Sequence, residues 1–166
     1  MPDPNVFEPQ WDMELADPPV RGRFMRLGPK TGAKDLGASL YEIDPQGAVS
    51  PYHIQHGNEE LLLVLSGTPR LRTPDGSREL RAGDVVSFPR GPDGAHRISN
   101  HSSEPVRVLV FSTMNYPEIA EHVETGTILA VRGPRDGLTY PKGSERRFEE
   151  AWMEAMHAEA EAEGLS

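Results

Sequence analysis

The chain has no cysteine in 166 residues, which removes disulfides and thiolate metal sites together. Any metal it holds must be held by imidazole, carboxylate, amide or water. Positive charge is also short: 17 Lys and Arg stand against 26 Asp and Glu, a net charge of −9. That disfavours nucleic acid as a partner, because phosphate binding needs a basic face. No apolar run approaches the roughly 18 residues of a membrane span, so no membrane partner is expected. The opening residues, MPDPNVFEPQWDMELADPP, lack the basic and apolar blocks of a signal peptide. A soluble cytoplasmic protein with a small-molecule ligand is the expectation.

What is plentiful is punctuation. Gly and Pro number 16 each and are spread through the chain. They divide it into many short segments, which favours an all-β sandwich or barrel. Residues 36–43 alternate, with Leu36, Ala38 and Leu40 on one side of the pleat and Tyr41 and Ile43 on the other. Asp44-Pro45-Gln46-Gly47 then reads as a turn. Further strands are expected at 21–27, 50–56, 60–65, 70–73, 77–80, 85–88, 95–99 and 106–112, with Pro74-Asp75-Gly76 as a hairpin turn. They make a barrel of about eight to ten strands. Residues 1–20 read as an extended N-terminal arm and 21–131 as the barrel, with 127–131 as a short strand on its outside. Residues 132–166 read as a loop followed by a helix over 144–163, with Ser144 as its N-cap. Phe148, Trp152, Ala155 and Met156 form one stripe on that helix, expected to pack on the barrel or on a second subunit.

The chemistry concentrates in two stretches. GAVSPYHIQHGNEELLLVLSG, residues 47–67, gathers His53, Gln55, His56, Glu59 and Glu60 ahead of an apolar strand. Residues two apart on a strand share a face, so His53 and Gln55 point together and His56 points away. By the same alternation Glu60 shares a face with Leu62 and Val64, while Glu59 faces the opposite way towards solvent. GDVVSFPRGPDGAHRISN, residues 83–100, delivers His96 after a Gly-containing loop. His101, His122 and His157 have no supporting pattern and read as surface residues. Tyr41, Tyr52, Arg70, Arg72 and Phe88 are candidates for the cavity or its rim.

These two stretches resemble the paired motifs of the cupin superfamily, the germin-like small β-barrels. In the first, five residues separate Gly47 from His53, one separates His53 from Gln55, four precede Glu60 and six precede Gly67. In the second, five separate Gly83 from Pro89, one separates Pro89 from Gly91, four precede His96 and three precede Asn100. The family has His-x-His where this chain has His53-Ile54-Gln55, and a shorter gap before its last histidine. The resemblance implies a cupin double-stranded β-helix, or jelly-roll barrel, followed here by the C-terminal α-helix. It also implies one divalent transition metal (Fe, Mn, Ni or Zn) held inside the barrel by His53, Gln55, Glu60 and His96. Three roles stay open for Gln55: a ligand through its amide oxygen, a partner for metal-bound water beside a 2-His-1-carboxylate triad, or part of a metal-free site for an organic ligand.

Cupins of this pattern include dioxygenases, isomerases and decarboxylases acting on small organic acids, sugars or phenolic compounds. A non-catalytic ligand-binding cupin, with or without metal, is the alternative. No residue stands out as a catalytic base, although His56 or Glu59 could serve if the strand bulges. Leu61, Leu63 and Leu65 should point outward, which is too apolar for bare solvent, so a homodimer is expected.

Overall fold

Strand propensity, turn residues and alternation together build an antiparallel β architecture in the computed structural model, which describes residues 3–133, 136–144 and 146–163. In chain order the first elements are β1 (Met13–Asp17), β2 (Val20–Arg26), α1 (Leu27–Thr31), β3 (Leu36–Ile43), β4 (His53–Gln55) and β5 (Glu60–Ser66). Next come β6 (Arg70–Thr73), β7 (Gly76–Glu79), β8 (Val85–Phe88), a 3₁₀ turn (Pro92–Gly94), β9 (Arg97–Ser99) and β10 (Val106–Thr113). The chain ends in β11 (Glu118–His122), β12 (Thr127–Gly133), β13 (Asp136–Tyr140) and α2 (Phe148–Glu163). Three sheets result, ordered β1-β2-β3-β10-β5-β8, β13-β12-β11-β4 and β7-β6-β9. Isolated bridges from Ala48 to Ser99 and from His53 to His96 stitch the segments between them.

The large sheet is apolar on both faces, and each face finds cover. Inward, Ile43, Leu62, Val64, Val106 and Val108 pack with Leu71, Leu80, Phe88 and Ile98 as the barrel core. Outward, Leu40, Leu109 and Met25 pack with Leu27 of α1. Leu63 and Leu65 join this second cluster, and Val6 and Trp11 pack over it. Leu63 and Leu65 are thus partly buried in a cluster that the chain's own N-terminal segment shares, and Leu61 alone of the three outward leucines is exposed. The segment expected as a bare arm carries β1, fully paired with β2 from Met13↔Phe24 to Asp17↔Val20. An ion cluster sits at the same end. Buried Glu42 accepts from Arg23 and, at 2.6 Å, from Arg107, and both guanidiniums lie within 6 Å of the Trp11 ring centroid.

Other expectations change with tertiary context. The described residues contain thirteen strands, more than the eight to ten read from the sequence. Residues 132–143 were expected as loop, yet β12 runs to Gly133 and β13 pairs with it. β12 is not on the outside, because Leu129 and Val131 line the interior cavity. α2 begins at Phe148, and the Ser144 hydroxyl donates to Pro141 O instead of capping the helix. The stripe is not buried by any of the described residues: Phe148, Trp152 and Met156 are exposed. No described helix is long and apolar enough to cross a membrane.

Candidate metal centre

β4 is only three residues long because Pro51 and Gly57 bound it closely. It turns His53 and Gln55 to the cavity and Ile54 to a small buried cluster with Tyr52 and Ala95. The turn into β5 is held from below by Glu118, a buried acid. Glu118 accepts from the backbone N–H of His56 (2.9 Å) and Gly57 (3.0 Å), and from the Asn58 amide. Asn58 in turn accepts from the Asn115 N–H at 2.7 Å. This clamp fixes where β5 starts and therefore where Glu60 points. His96 arrives by another route. Of the four residues between Gly91 and His96, Pro92–Gly94 form the 3₁₀ turn, in which Gly94 N–H donates to Gly91 O at 3.0 Å, and Ala95 caps it. His53 and His96 then exchange backbone hydrogen bonds of 3.1 and 3.0 Å, which sets their side chains next to each other.

The side chains converge. Glu60 Oε2 lies 3.4 Å from His96 Nε2 and 3.9 Å from His53 Nε2. One donor atom from each of His53, Glu60 and His96 falls within 4.8 Å of the others. Two ligand atoms each about 2.1 Å from a shared ion stand about 3–3.5 Å apart in tetrahedral or octahedral order, so small adjustments would close the set on a cation. The tautomers agree with this. His53 Nδ1 meets Pro51 O at 3.0 Å and His96 Nδ1 meets Gly94 O at 2.9 Å. A carbonyl only accepts, so each Nδ1 carries the proton and each Nε2 offers a lone pair. Phe88 stacks on His96 with ring centroids 3.7 Å apart and holds its plane.

Three electron-rich atoms therefore face one another. Glu60 Oε2 is buried and has no hydrogen-bond partner among the described residues. An orphaned buried carboxylate oxygen is costly unless a cation or a proton reaches it. The protonation equilibria reflect the same strain. Burial, reinforced by Glu118, pushes the Glu60 carboxyl up to about 7. Burial and the neighbouring His53 push the His96 imidazole down to about 4. Burial lowers His53 as well, and His122 adds to the effect. Neutral imidazoles beside an acid ready to ionise form a donor set that fits a divalent transition metal.

The centre opens on a cavity of about 380 Å³. Gln55 lines it together with His53 and Glu60, while the donor atoms that converge are those of His53, Glu60 and His96. Tyr41, Ser39, Ser112 and Asn58 supply further polar groups, and Val110, Leu129 and Val131 supply apolar wall. Among the described lining residues there is no Lys or Arg. Tyr41 is in this cavity, and burial raises its phenol above the ordinary range. Arg70 and Arg72 are not; they line a separate concavity. Tyr52 lies under Arg72, and Phe88 backs His96.

His56 faces Glu121 at 3.6 Å on the outer side, and Glu59 is exposed. His122, read as a surface residue, lines the cavity, because β11 pairs it directly with His53. Glu118 and Asn58 were missed altogether. The available signal was Glu118-Ile119-Ala120, an acid that shares its pleat face with a small apolar residue.

Comparison with known proteins follows the same outline. A cupin-domain family model matches residues 39–112. A provisionally assigned sugar phosphate isomerase from Acidithiobacillus ferrooxidans is similar at 25% identity over 83% of this chain and 87% of its own, with a TM-score of 0.72. A sugar phosphate isomerase of a cupin superfamily from Silicibacter pomeroyi is similar at 22% identity over 89% of this chain and 98% of its own, with a TM-score of 0.73. The plu4264 protein of Photorhabdus luminescens shares 21% identity over 64% of this chain and 84% of its own, with a TM-score of 0.51. No curated protein matches the chain.

Proposed function

Because this chain belongs to the cupin superfamily, we propose that it is a metal-dependent enzyme that isomerises a small polyhydroxylated carbonyl compound of the sugar class. The observation that carries this reading is the convergence of His53 Nε2, His96 Nε2 and the orphaned Glu60 Oε2 on one point at the cavity floor. His53, Glu60 and His96 would hold the ion, with the Gln55 amide oxygen as a fourth donor. A divalent metal in such a set supplies Lewis acidity towards a carbonyl or hydroxyl oxygen.

The rest is work for the chain's own residues. Ser39, Ser112, Asn58 and Gln55 present hydroxyl and amide groups suited to sugar hydroxyls. Val110, Leu129 and Val131 exclude water from one side. His122, on the cavity wall outside the ligand set, takes a proton from the hydroxyl-bearing carbon beside the carbonyl and returns it to the former carbonyl carbon, while the hydroxyl proton passes to the former carbonyl oxygen through solvent. The lack of Lys or Arg among the described lining residues favours a neutral substrate over a phosphorylated one. The resemblance to the Acidithiobacillus protein supports the reaction class.

The test is aldose–ketose interconversion in deuterated water, on protein stripped of metal and reloaded separately with manganese, iron, nickel or zinc. Solvent deuterium should enter product with parent His122 and fall at least about tenfold with His122→Asn. No interconversion across a panel of tetroses to hexoses with any of the four ions would defeat the proposal. A set of two imidazoles and one carboxylate also suits iron(II) and oxygen chemistry, so oxygen uptake without interconversion would favour a dioxygenase. Ligand-induced thermal stabilisation without turnover would favour a binding protein. The homodimer reading stands on the exposed stripe of α2 now that Leu63 and Leu65 are covered, and sedimentation showing only the 18.3 kDa monomer at micromolar concentration would end it.

A further inference from the structure

A second concavity lies on the outer face of the β7-β6-β9 sheet and shares no lining residue with the metal cavity. In β6, Leu71 is buried in the barrel core, so Arg70 and Arg72 point the other way. β9 repeats the pattern, with Ile98 inward and Arg97 and Ser99 outward. The register sets Arg72 directly opposite Arg97, and Arg70 opposite Ser99. Three guanidiniums thus line one cavity of about 410 Å³, with Ser77, Gln46 and His101 at its sides.

This gathering runs against the composition and against sheet energetics. The chain carries a net charge of −9, and like charges opposed across strands destabilise a sheet. No carboxylate is among the described residues that line the cavity. Arg72 is paired with Glu124 at 2.6 Å and lies over the Tyr52 ring at 4.1 Å. Arg70 and Arg97 have no ion-pair partner among the described residues. The Nε of Arg97 is buried without an acceptor, an expensive state for a charged donor. An anion in the cavity would relieve the repulsion and give the unpaired Arg70 and Arg97 guanidiniums a counter-charge.

We propose that this cavity binds the phosphate group of a small metabolite, independently of the metal centre. The charge balance selects the group. Three arginines less Glu124 leave two unbalanced positive charges, which match a phosphate monoester dianion. Guanidinium forks fit the edges of a tetrahedral oxyanion, and the Ser77 and Ser99 hydroxyls can complete its shell. The remaining volume lets the organic part lie against Gln46 and His101.

The experiment is calorimetric titration of inorganic phosphate into the full chain, freed of metal by chelation and held at constant ionic strength with chloride. One saturable site is expected, with glycerol 1-phosphate competing for it. Arg97→Gln and Arg70→Gln should each weaken binding at least about tenfold. Arg70 is exposed, so its variant keeps the test alive should Arg97→Gln unfold. Arg81→Gln, which alters an exposed arginine beside Asp84, and His96→Ala, at the metal centre, should leave phosphate binding as it was. Absence of saturable binding, equal weakening by Arg81→Gln, or loss in His96→Ala overturns the proposal. Failure of glycerol 1-phosphate to compete overturns the monoester assignment. If the Arg70 and Arg97 variants instead dissociate a dimer that phosphate does not affect, the arginines face carboxylates of a second copy and the proposal falls.

Discussion

A carboxyl buried between two imidazoles with no donor of its own keeps its proton to a higher pH than one in water, and Glu60 does so, to about 7. Ion uptake must displace that proton, whereas the imidazoles, whose pKa values are lowered, are already neutral. Metal binding should therefore release about one proton per ion at pH 5.5 and almost none at pH 9. Calorimetry in buffers of different ionisation enthalpy reads that number directly, and a release that does not change with pH would show that Glu60 is not displaced. Gln55 gives a second prediction. Replacing the neutral amide in Gln55→His should slow metal loss during dialysis against chelator by at least about tenfold. Equal loss from parent and variant would mean that residue 55 makes no contact with the ion. Glu42 titrates in the opposite sense to Glu60. Burial alone would raise its pKa, but hydrogen bonds from Arg23 and Arg107 outweigh burial and lower it. Its ion cluster therefore stabilises the fold at neutral pH, and that contribution fades as pH falls from the ordinary carboxyl range through the lowered value. Glu42→Gln should cost about 2 kcal/mol at pH 7 and progressively less towards pH 3, as followed by urea unfolding. A constant deficit across that range would refute it.

The loop from Gly91 to His96 shows how an element meets a geometric demand. A Cβ on Gly94 would lie 1.7 Å from Pro89 O, and Gly94 O receives the His96 ring N–H. Gly94→Ala should destabilise the protein by about 1–3 kcal/mol and also reduce bound metal, because the shift carries His96 with it. Gly76, in the β6–β7 hairpin, has positive φ but open space around it, so Gly76→Ala should cost about 1 kcal/mol and leave metal content unchanged. Thermal unfolding beside elemental analysis separates the two, and parallel behaviour in both variants would break the link between turn and ligand. This comparison also marks what could be read in advance. Leu36–Ile43, Arg70–Thr73 and Val85–Phe88 have the bounds expected of them because alternation and Gly or Pro boundaries are local signals. β1, β11 and β13 escaped because their sequences are polar or mixed, and each is a strand only through its neighbour's hydrogen bonds. His122 escaped for the same reason, since a register and not a spacing sets it opposite His53. Glu118 hid as a polar residue in a polar stretch, although its contacts with the 56–57 backbone and the Asn58 side chain hold the turn from which β5 starts at Glu60.

On the scale of the whole molecule, the N-terminal segment and α2 exchange the roles that their sequences suggest. The Pro-rich segment, with little visible structure, supplies Val6 and Trp11 to the outer face of the large sheet and β1 to its edge. The amphipathic helix, with a clear apolar stripe, leaves Phe148, Trp152 and Met156 exposed. Local pattern reports which residues want burial but not what is near enough to bury them. The metal centre adds a connection of another kind. His53 belongs to the four-stranded sheet, Glu60 to the six-stranded sheet, and His96 stands at the head of β9 in the three-stranded sheet. An ion held by these residues acts as a rivet through three plates that are otherwise joined by turns, bridges and shared core. Amide exchange should therefore slow in all three sheets at once on loading with zinc, and not only around residues 53, 60 and 96. The residence time of such an ion would then set how long the three sheets stay pinned at this one point, beyond what their shared core and bridges already hold.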